Sequence, residues 1–308
     1  MDSEHTPKLS IGKGSLKFDS KSNSLLPNRS NASESIYSTP SANNTPPETH
    51  HESPQCPLNL SSMQLMDRIL SALENKEPLS IVSVGQTEAF VMAQYTLFPE
   101  EEFMRHREAY NANLGAQSGF LHRGIRFPNI MARDAAVEAS RQADIIGYNT
   151  LEPNAKNLTE RVFAAHRIEP RYIFEANIRR VFMFSQREKF EKILSKRKVL
   201  LVSSLAEKAM QVLNLQYQEK LGLDIVGAVS IFEHEDIPRV KNELTLYDFD
   251  LCLLGAGVNA LILAPYIAQK YGKIAFDIGW GMQALITGEV VSDSFISDVI
   301  GLENLLDM

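Results

Sequence analysis

From residue 198 to residue 278 the chain alternates short apolar runs with longer stretches that have the spacing of amphipathic helices. The pattern predicts strands at 198–203, 224–231, 249–254 and 273–278, separated by helices at 206–221, 236–246 and 258–271. Strands that are separated by single helices pair in parallel through right-handed crossovers. The sequence therefore predicts an α/β fold with a mostly parallel sheet and helices on both faces.

The first 60 residues have a different composition, rich in Ser, Asn, Pro and Thr, and they show no apolar period. Such a segment cannot bury enough apolar surface to offset the entropy lost on ordering. We predict a disordered tail over residues 1–60 and one domain over 61–308, which begins with a helix at 62–76. The stretch 98–127 has weak periodicity and is expected to mix short helix with loop. Strands are also predicted at 79–84 and 145–148, a helix at 133–143, and two or three helices between 156 and 195.

Composition and charge exclude several classes of protein. The net charge is −7 and no basic cluster is present, which argues against sequence-independent nucleic-acid binding. The chain begins with acidic residues and contains no uncharged apolar run of about 18 residues, so neither a secretory signal nor a transmembrane helix is expected. Cys56 and Cys252 are too far apart in the sequence to indicate a disulfide framework or a metal motif. A reducing, cytoplasmic setting is expected.

The segment LSIVSVGQTEAFVMAQ at 79–94 is the most informative part of the chain for function. An apolar run ends at Val84, Gly85 makes a turn, and polar residues precede a helix predicted at 88–96. In open α/β sheets ligands bind in the crevice at the carboxyl ends of the strands. A helix that begins there also offers free backbone N–H groups and a positive dipole end, which suit a phosphate.

This segment resembles the first strand of the GT-D-fold glycosyltransferases, which reads Ser-hydrophobic-x-hydrophobic-Gly-Asp-x-Glu-hydrophobic. Later blocks resemble the same family in order, namely PNIMARDAAVEASRQADIIG at 128–147, EANIRRVF at 175–182, KRKVLLVSSLAEKA at 196–209 and YDFDLCLLGAGVNALILAPYIAQKYGKIAFDIG at 247–279. The resemblance spans residues 62–288. It implies a Rossmann-like GT-D fold that binds a nucleotide-sugar donor, a UDP-hexose by analogy, and transfers the sugar to a hydroxyl of a glycan or glycoprotein.

The resemblance also implies roles for individual residues. It assigns the nucleotide-sugar to a crevice formed by Gly85, Gln86, Thr87, Glu88, Arg133, Asn177 and Asp277. Asp134 would be the catalytic acid that faces the sugar and orients or deprotonates the acceptor hydroxyl. Arg133 would contact the diphosphate through its planar guanidinium.

One position departs from the family pattern. The family uses its Asp-x-Glu pair to engage a divalent cation and the diphosphate, but here Gln86 stands where Asp is expected. Gln is neutral, whereas Mg²⁺ and similar cations prefer carboxylate and phosphate oxygens. Mn²⁺ or Mg²⁺ is therefore a candidate cofactor with Glu88 as its protein ligand, and the sequence leaves the metal dependence open. A catalytically inactive GT-D-like binding or scaffolding module is the alternative function.

Each of these positions also has a structural explanation. Glu88 and Asp134 would be ordinary helix-start acids, and Asn177 would satisfy a buried backbone group. Arg179 and Arg180 are interpreted as a solvated basic face of a helix.

A second glycine turn, Gly255-Ala256-Gly257, follows a strand and opens a helix, with Asp277 at the end of the next strand. This arrangement is typical of an NAD- or S-adenosylmethionine-dependent Rossmann enzyme. It lies in the last βαβ unit rather than the first, so close packing of the strand against the helix is the favoured explanation.

Overall fold

The computed structural model describes residues 56–114, 124–291 and 296–308. The predicted disorder of residues 1–55 and part of the predicted loop at 98–127 lie outside the described residues. Within the described ranges eight strands form one parallel sheet. The strands are β1 (Leu58–Asn59), β2 (Leu79–Val84), β3 (Ile145–Tyr148), β4 (Tyr172–Glu175), β5 (Lys198–Ser203), β6 (Asp224–Val229), β7 (Leu251–Gly255) and β8 (Ile274–Asp277).

Helices connect the strands. They are α1 (Ser62–Asn75), α2 (Gln86–Ala93), α3 (Glu100–Arg105), α4 (Arg107–Leu114), α5 (Ile130–Gln142), α6 (Pro153–His166), α7 (Phe182–Ser185), α8 (Arg187–Leu194), α9 (Ala206–Leu213), α10 (Glu219–Leu221), α11 (Ile237–Glu243), α12 (Val258–Tyr271), α13 (Gly281–Thr287) and α14 (Leu302–Asp307). Short 3₁₀ turns occur at Ala176–Arg180, His234–Asp236 and Leu244–Leu246, and π-helical turns occur at Asn214–Gln218 and Ile296–Ile300.

The sheet has a hydrophobic core on each face, because successive side chains of a strand point to opposite sides. Ile81 of β2 belongs to the core that includes residues of α1, α8, α9 and α13, whereas Val82 and Val84 belong to the core on the other face, which includes residues of α2, α5, α6 and α12. Burial on both faces explains why the strands are continuous apolar runs without alternating polar residues. The predicted α/β class with helices on both faces is confirmed.

The strand order is β1-β4-β3-β2-β8-β7-β5-β6. From β2 the chain continues to β3 and β4 on one side, whereas β8 is reached from β7 on the other side. This change of direction opens a crevice between the carboxyl ends of β2 and β8, where ligands bind in open parallel sheets. The topology therefore places the glycine turn after β2 next to the last residue of β8.

The structure confirms several predicted elements and corrects others. The strands predicted at 79–84, 145–148 and 198–203 and the helix predicted at 258–271 have the predicted bounds. Only helices were expected between 156 and 195, but the segment contains β4, whose apolar run is limited to Tyr172–Phe174. The predicted tail overlaps β1, because Leu58 and Asn59 pair with β4. The ordered domain therefore begins before residue 61.

Helix α2 starts two residues earlier than the predicted helix and ends at Ala93 rather than at residue 96. The carboxylate of Glu88 satisfies the backbone N–H of Gly85, which stabilises a start at Gln86. In the described ranges no helix is both long enough and apolar enough to cross a membrane.

Candidate functional site

The crevice between β2 and β8 is lined by the residues that follow the two strands. β2 and β8 are hydrogen-bonded neighbours, with Ile81 opposite Phe276. Gly85 follows β2 directly and precedes the first turn of α2, while Asp277 is the last residue of β8. Acidic side chains from both strand ends are therefore brought to one edge of the sheet.

Glu88 lies in the first turn of α2, and its side chain folds back over the glycine turn. Its Oε2 accepts a hydrogen bond from the Gly85 backbone N–H at 3.0 Å, and the residue is only 7% exposed. A Cβ at position 85 would lie 2.8 Å from that oxygen, so the glycine makes room for the carboxylate. Burial raises the pKa of Glu88, and the positive charge of Arg179 opposes this rise.

Asp277 forms a buried ion pair with Arg179. The guanidinium Nη1 donates to Asp277 Oδ2 at 2.7 Å, and the two side chains are 14% and 2% exposed respectively. The other oxygen of Asp277 accepts the backbone N–H of Gly279 at 3.0 Å. Burial raises the pKa of Asp277, while the charge of Arg179 and the hydrogen bond from Gly279 lower it. We refer to Glu88, Asp277 and Arg179 as the charge cluster.

The interpretation of Arg179 as part of a solvated face is wrong, because the sheet topology carries it into the crevice. Arg179 belongs to the 3₁₀ turn that follows β4, and this turn packs against the residues after β8, where a Cβ at Gly281 would lie 2.5 Å from the Arg179 carbonyl oxygen. From this position the guanidinium pairs with Asp277. Gly279 has φ +47°, and a Cβ there would lie 2.7 Å from Arg179 Cζ. The pattern Asp277-x-Gly279 was the available signal, since it indicates a backbone that something approaches closely.

Asn177 lies in the same 3₁₀ turn and is 4% exposed. Its side-chain amide donates to Glu175 Oε1 at 2.7 Å and to Asn149 Oδ1 at 3.2 Å. Glu175 also accepts the backbone N–H and the hydroxyl of Thr150, both at 2.7 Å. Asn177 therefore satisfies a buried carboxylate, and its predicted contact with the nucleotide stays a prediction.

Arg133 and Asp134 lie on α5 and pair with each other, with Arg133 Nη2 2.7 Å from Asp134 Oδ1. The side chain of Asp134 is 64% exposed. Arg133 also donates to the Gln94 carbonyl oxygen at 3.2 Å, which joins α5 to the end of α2. The structure thus places this pair outside the charge cluster, and the catalytic role of Asp134 stays a prediction.

The remaining residues of the first turn of α2 are more exposed than Glu88. Gln86 is exposed, and the half-buried Thr87 donates to Glu108 Oε2 of α4 at 3.4 Å. Both side chains border the crevice next to the buried carboxylate. Gln86 is therefore accessible at the position where the family pattern has Asp.

The second glycine turn packs β7 against α13. A Cβ at Gly255 would lie 2.9 Å from Met282 Cβ and 3.1 Å from the Gly279 carbonyl oxygen. Asp277, the candidate ribose acid of the dinucleotide interpretation, already accepts hydrogen bonds from Arg179 and Gly279. These contacts favour the packing explanation of the turn.

The residues in the crevice do not fit the divalent cation that the resemblance implies. Gln86 supplies no charge, one oxygen of Asp277 is paired with a guanidinium, and Glu88 Oε2 accepts a backbone N–H. Over the described part of the chain, no group of three or more His, Cys, Asp and Glu side chains is arranged to hold a metal ion.

Comparison with known proteins gives a family assignment. The model of the GT-D fold-like domain matches residues 60–285. The chain belongs to this family. Among solved structures, this GT-D-like chain is similar to one described as "The highly conserved domain of unknown function 1792 has a distinct glycosyltransferase fold", with 12% identity, a TM-score of 0.49, and coverage of 75% of this chain and 82% of that chain. The family match carries the assignment. No curated protein matches the chain.

The GT-D-like chain is thus a glycosyltransferase-like protein, and the predicted family is confirmed. The match begins at Leu60, two residues before α1, and ends at Leu285 in α13. It therefore includes the glycine turn after β2, the 3₁₀ turn that carries Arg179 and the end of β8.

We expect Glu88→Gln to stabilise the GT-D-like domain at pH 8 by about 1 kcal/mol, because it removes a buried charge while keeping an acceptor for the Gly85 N–H. The pKa of Glu88 is raised in the folded state, so its contribution to stability is greatest below the ordinary pKa and is lost as the pH rises through the folded pKa. The gain should therefore shrink towards pH 4. Urea unfolding of the wild-type and Glu88→Gln domains from pH 4 to pH 8 measures this difference in the free energy of unfolding.

The matched control is Glu207→Gln, which changes the exposed first-turn acid of α9 after β5. Its effect on the free energy of unfolding should be small, because the side chain is exposed. A Glu88→Gln domain that is less stable than wild type at pH 8 and equally stable at pH 4 would contradict the prediction.

Proposed function

We propose that this glycosyltransferase-like protein binds a nucleotide-sugar, a UDP-hexose by analogy with its family, in the crevice between β2 and β8. The charge cluster, buried at the ends of two adjacent strands in a member of the GT-D-like family, carries the proposal. Perturbed, buried ionisable groups in a cleft are typical of functional sites. A buried ion pair, by contrast, contributes little net stability, because desolvation of its charges offsets their attraction.

Arg179 is suited to the diphosphate. Its Nη1 donates to Asp277, and a guanidinium has five N–H donors in a planar fork, which leaves others for phosphate oxygens. The start of α2 adds a positive dipole end on the same side of the crevice. Glu88 would then accept a hydrogen bond from a hydroxyl of the sugar, because a carboxylate accepts but does not bind another anion.

Transfer would proceed by attack of an acceptor hydroxyl oxygen on the anomeric carbon of the sugar. The bond from that carbon to the diphosphate oxygen breaks, the nucleoside diphosphate leaves, and the hydroxyl proton passes to a base. Asp134 is the proposed base by analogy with the family, and its carboxylate is accessible on α5. The acceptor is proposed to be a glycan or glycoprotein in the cytoplasm. The buried free thiol of Cys252 agrees with a reducing compartment.

Calorimetric titration tests the binding. We expect UDP and UDP-glucose to bind with a dissociation constant on the order of 10 µM, or about −7 kcal/mol. Glu88→Ala should weaken UDP-glucose by roughly 10-fold relative to UDP, since only the sugar contacts the carboxylate. Glu207→Ala is the matched control and should change neither. Absence of binding by UDP, UDP-glucose and UDP-galactose would overturn the proposed function.

A second candidate function is a binding module without transferase activity. The accessible, neutral Gln86 at the position of the family's Asp favours it. The distinguishing measurement is UDP release from UDP-hexoses in the presence of glycan acceptors. Binding without release supports the module, and release that is lost in Asp134→Asn supports the enzyme.

A further inference from the structure

We propose that Arg179 supplies from the chain itself the positive charge that holds the donor diphosphate, so that nucleotide binding here is independent of metal. This inference rests on the proposed function, because it concerns the same crevice. Arg179, which the sequence predicts to lie on a solvated face, is assigned here as the residue that determines the cofactor requirement.

The guanidinium of Arg179 is held in a fixed position. It is held by Asp277 at 2.7 Å on one side, and it lies against the Gly279 backbone on the other. Asp277 is itself held by the Gly279 N–H at 3.0 Å. Arg179 is therefore pre-organised at the carboxyl ends of the strands, and a ligand would not need to order a free side chain.

The sign of the charge around the diphosphate position decides whether a cation is needed there. Glu88 and Asp277 are both buried at this edge of the sheet, and a diphosphate would add further negative charge. Repulsion among these groups is strong where water is largely excluded, so a cation is required for the ligand to bind. The charge of Arg179 acts on both carboxylates and lowers the pKa of each against the effect of burial. Arg179 therefore supplies, within the protein, one positive charge that offsets part of this repulsion.

The charge cluster has no second position for a cation. A divalent ion needs several oxygen ligands at once, and the family pattern would take two of them from the residues at positions 86 and 88. Here Gln86 has replaced the first carboxylate, and Glu88 Oε2 accepts the Gly85 N–H. The loss of one carboxylate and the presence of the guanidinium have the same consequence. Both reduce the affinity of the crevice for a metal ion.

The experiment is a titration of UDP into the full chain in 1 mM EDTA and again in 1 mM Mn²⁺, at fixed ionic strength. The dissociation constants are expected to agree within about 2-fold, and the electron paramagnetic resonance signal of free Mn²⁺ should not decrease when protein is added. Arg179→Met should weaken UDP at least about 10-fold, the loss typical of a hydrogen bond between charged groups. Uridine, which lacks the diphosphate, should be unaffected by the same substitution.

Two variants keep the result interpretable. Arg180→Met changes the neighbouring arginine, whose Nη1 donates to the Val291 carbonyl oxygen, and it should leave UDP binding unchanged. Arg179→Met combined with Asp277→Asn removes both charges of the pair, so it avoids an uncompensated buried carboxylate if the single variant does not fold. This double variant should also lose the binding of UDP.

The outcomes separate the inference from the function on which it rests. A 10-fold or greater gain in UDP affinity with Mn²⁺, or unchanged binding in folded Arg179 variants, overturns the inference and leaves the nucleotide site in place. Failure of UDP and UDP-hexoses to bind in either buffer overturns the proposed function together with the inference. Metal-independent binding that Arg179→Met abolishes supports both.

Discussion

Asp277→Leu is expected to destabilise the domain by about 3 kcal/mol, because it leaves the Arg179 guanidinium without its partner in a largely buried position. The substitution also removes the acceptor of the Gly279 N–H. In a domain of this size the loss corresponds to a fall in Tm of roughly 6–12 °C. Urea unfolding followed by far-ultraviolet circular dichroism measures the free energy of unfolding, and a single transition with an unchanged m-value checks that the comparison is valid.

The control for this prediction is a double-mutant cycle with Arg179→Met. Removal of both charges should lower the free energy of unfolding by less than the sum of the two single changes. The difference should be at least about 1 kcal/mol, because each single change leaves one charge buried alone. Additive effects would show that Asp277 and Arg179 are not coupled. The same cycle with Lys198 and the exposed Asp248, which are 2.8 Å apart, should give a coupling below about 1 kcal/mol.

Some elements of this fold that are bounded by glycines are predictable from the sequence to the residue. β2 is followed by Gly85, and α12 is bounded by Gly257 and Gly272. Each of these elements has the bounds that its local pattern predicts. The parallel sheet follows from the alternation of such runs with single helices.

Two strands and the bounds of several helices were not predictable in this way. β1 has two residues and the apolar run of β4 has three, Tyr172–Phe174, so neither shows a strand pattern of its own. β1 exists because it can pair with β4 at the edge of the sheet, a tertiary contact that composition does not reveal. Its sequence lies within a stretch that otherwise has the composition of a tail.

The residues of the candidate site also differ in whether their positions could be predicted from the sequence. Glu88 and Asp277 follow recognisable strands, so their arrival at one edge of the sheet could be predicted. Arg179 could not, because its partner is 98 residues away and the contact depends on the order β4-β3-β2-β8. A local pattern of two arginines on a helical turn gives no indication that one of them crosses the crevice.

A substitution at the contact between β3 and β4 is expected to cause the second large loss of stability. Gly147→Ala should destabilise the domain by about 3 kcal/mol, because Gly147 lies directly opposite Phe174 and a Cβ would be 2.3 Å from the ring atom Cζ. Phe174 is fully buried, so its ring has no space into which it can move. Thermal and urea unfolding measure the loss.

A matched control exists on the opposite edge of the sheet. At Gly227 in β6, a Cβ would also lie 2.3 Å from a ring atom, here Cε1 of Tyr247. Tyr247 is only partly buried and can swing towards solvent, so Gly227→Ala should cost less than about 1 kcal/mol. Phe174→Leu in the Gly147→Ala background should recover part of the loss, since the smaller side chain vacates the space that the new methyl group requires. A Gly147→Ala domain as stable as the Gly227→Ala domain would mean that the β3–β4 contact is looser than its geometry indicates, and the 3₁₀ turn that positions Arg179 would then be less firmly held.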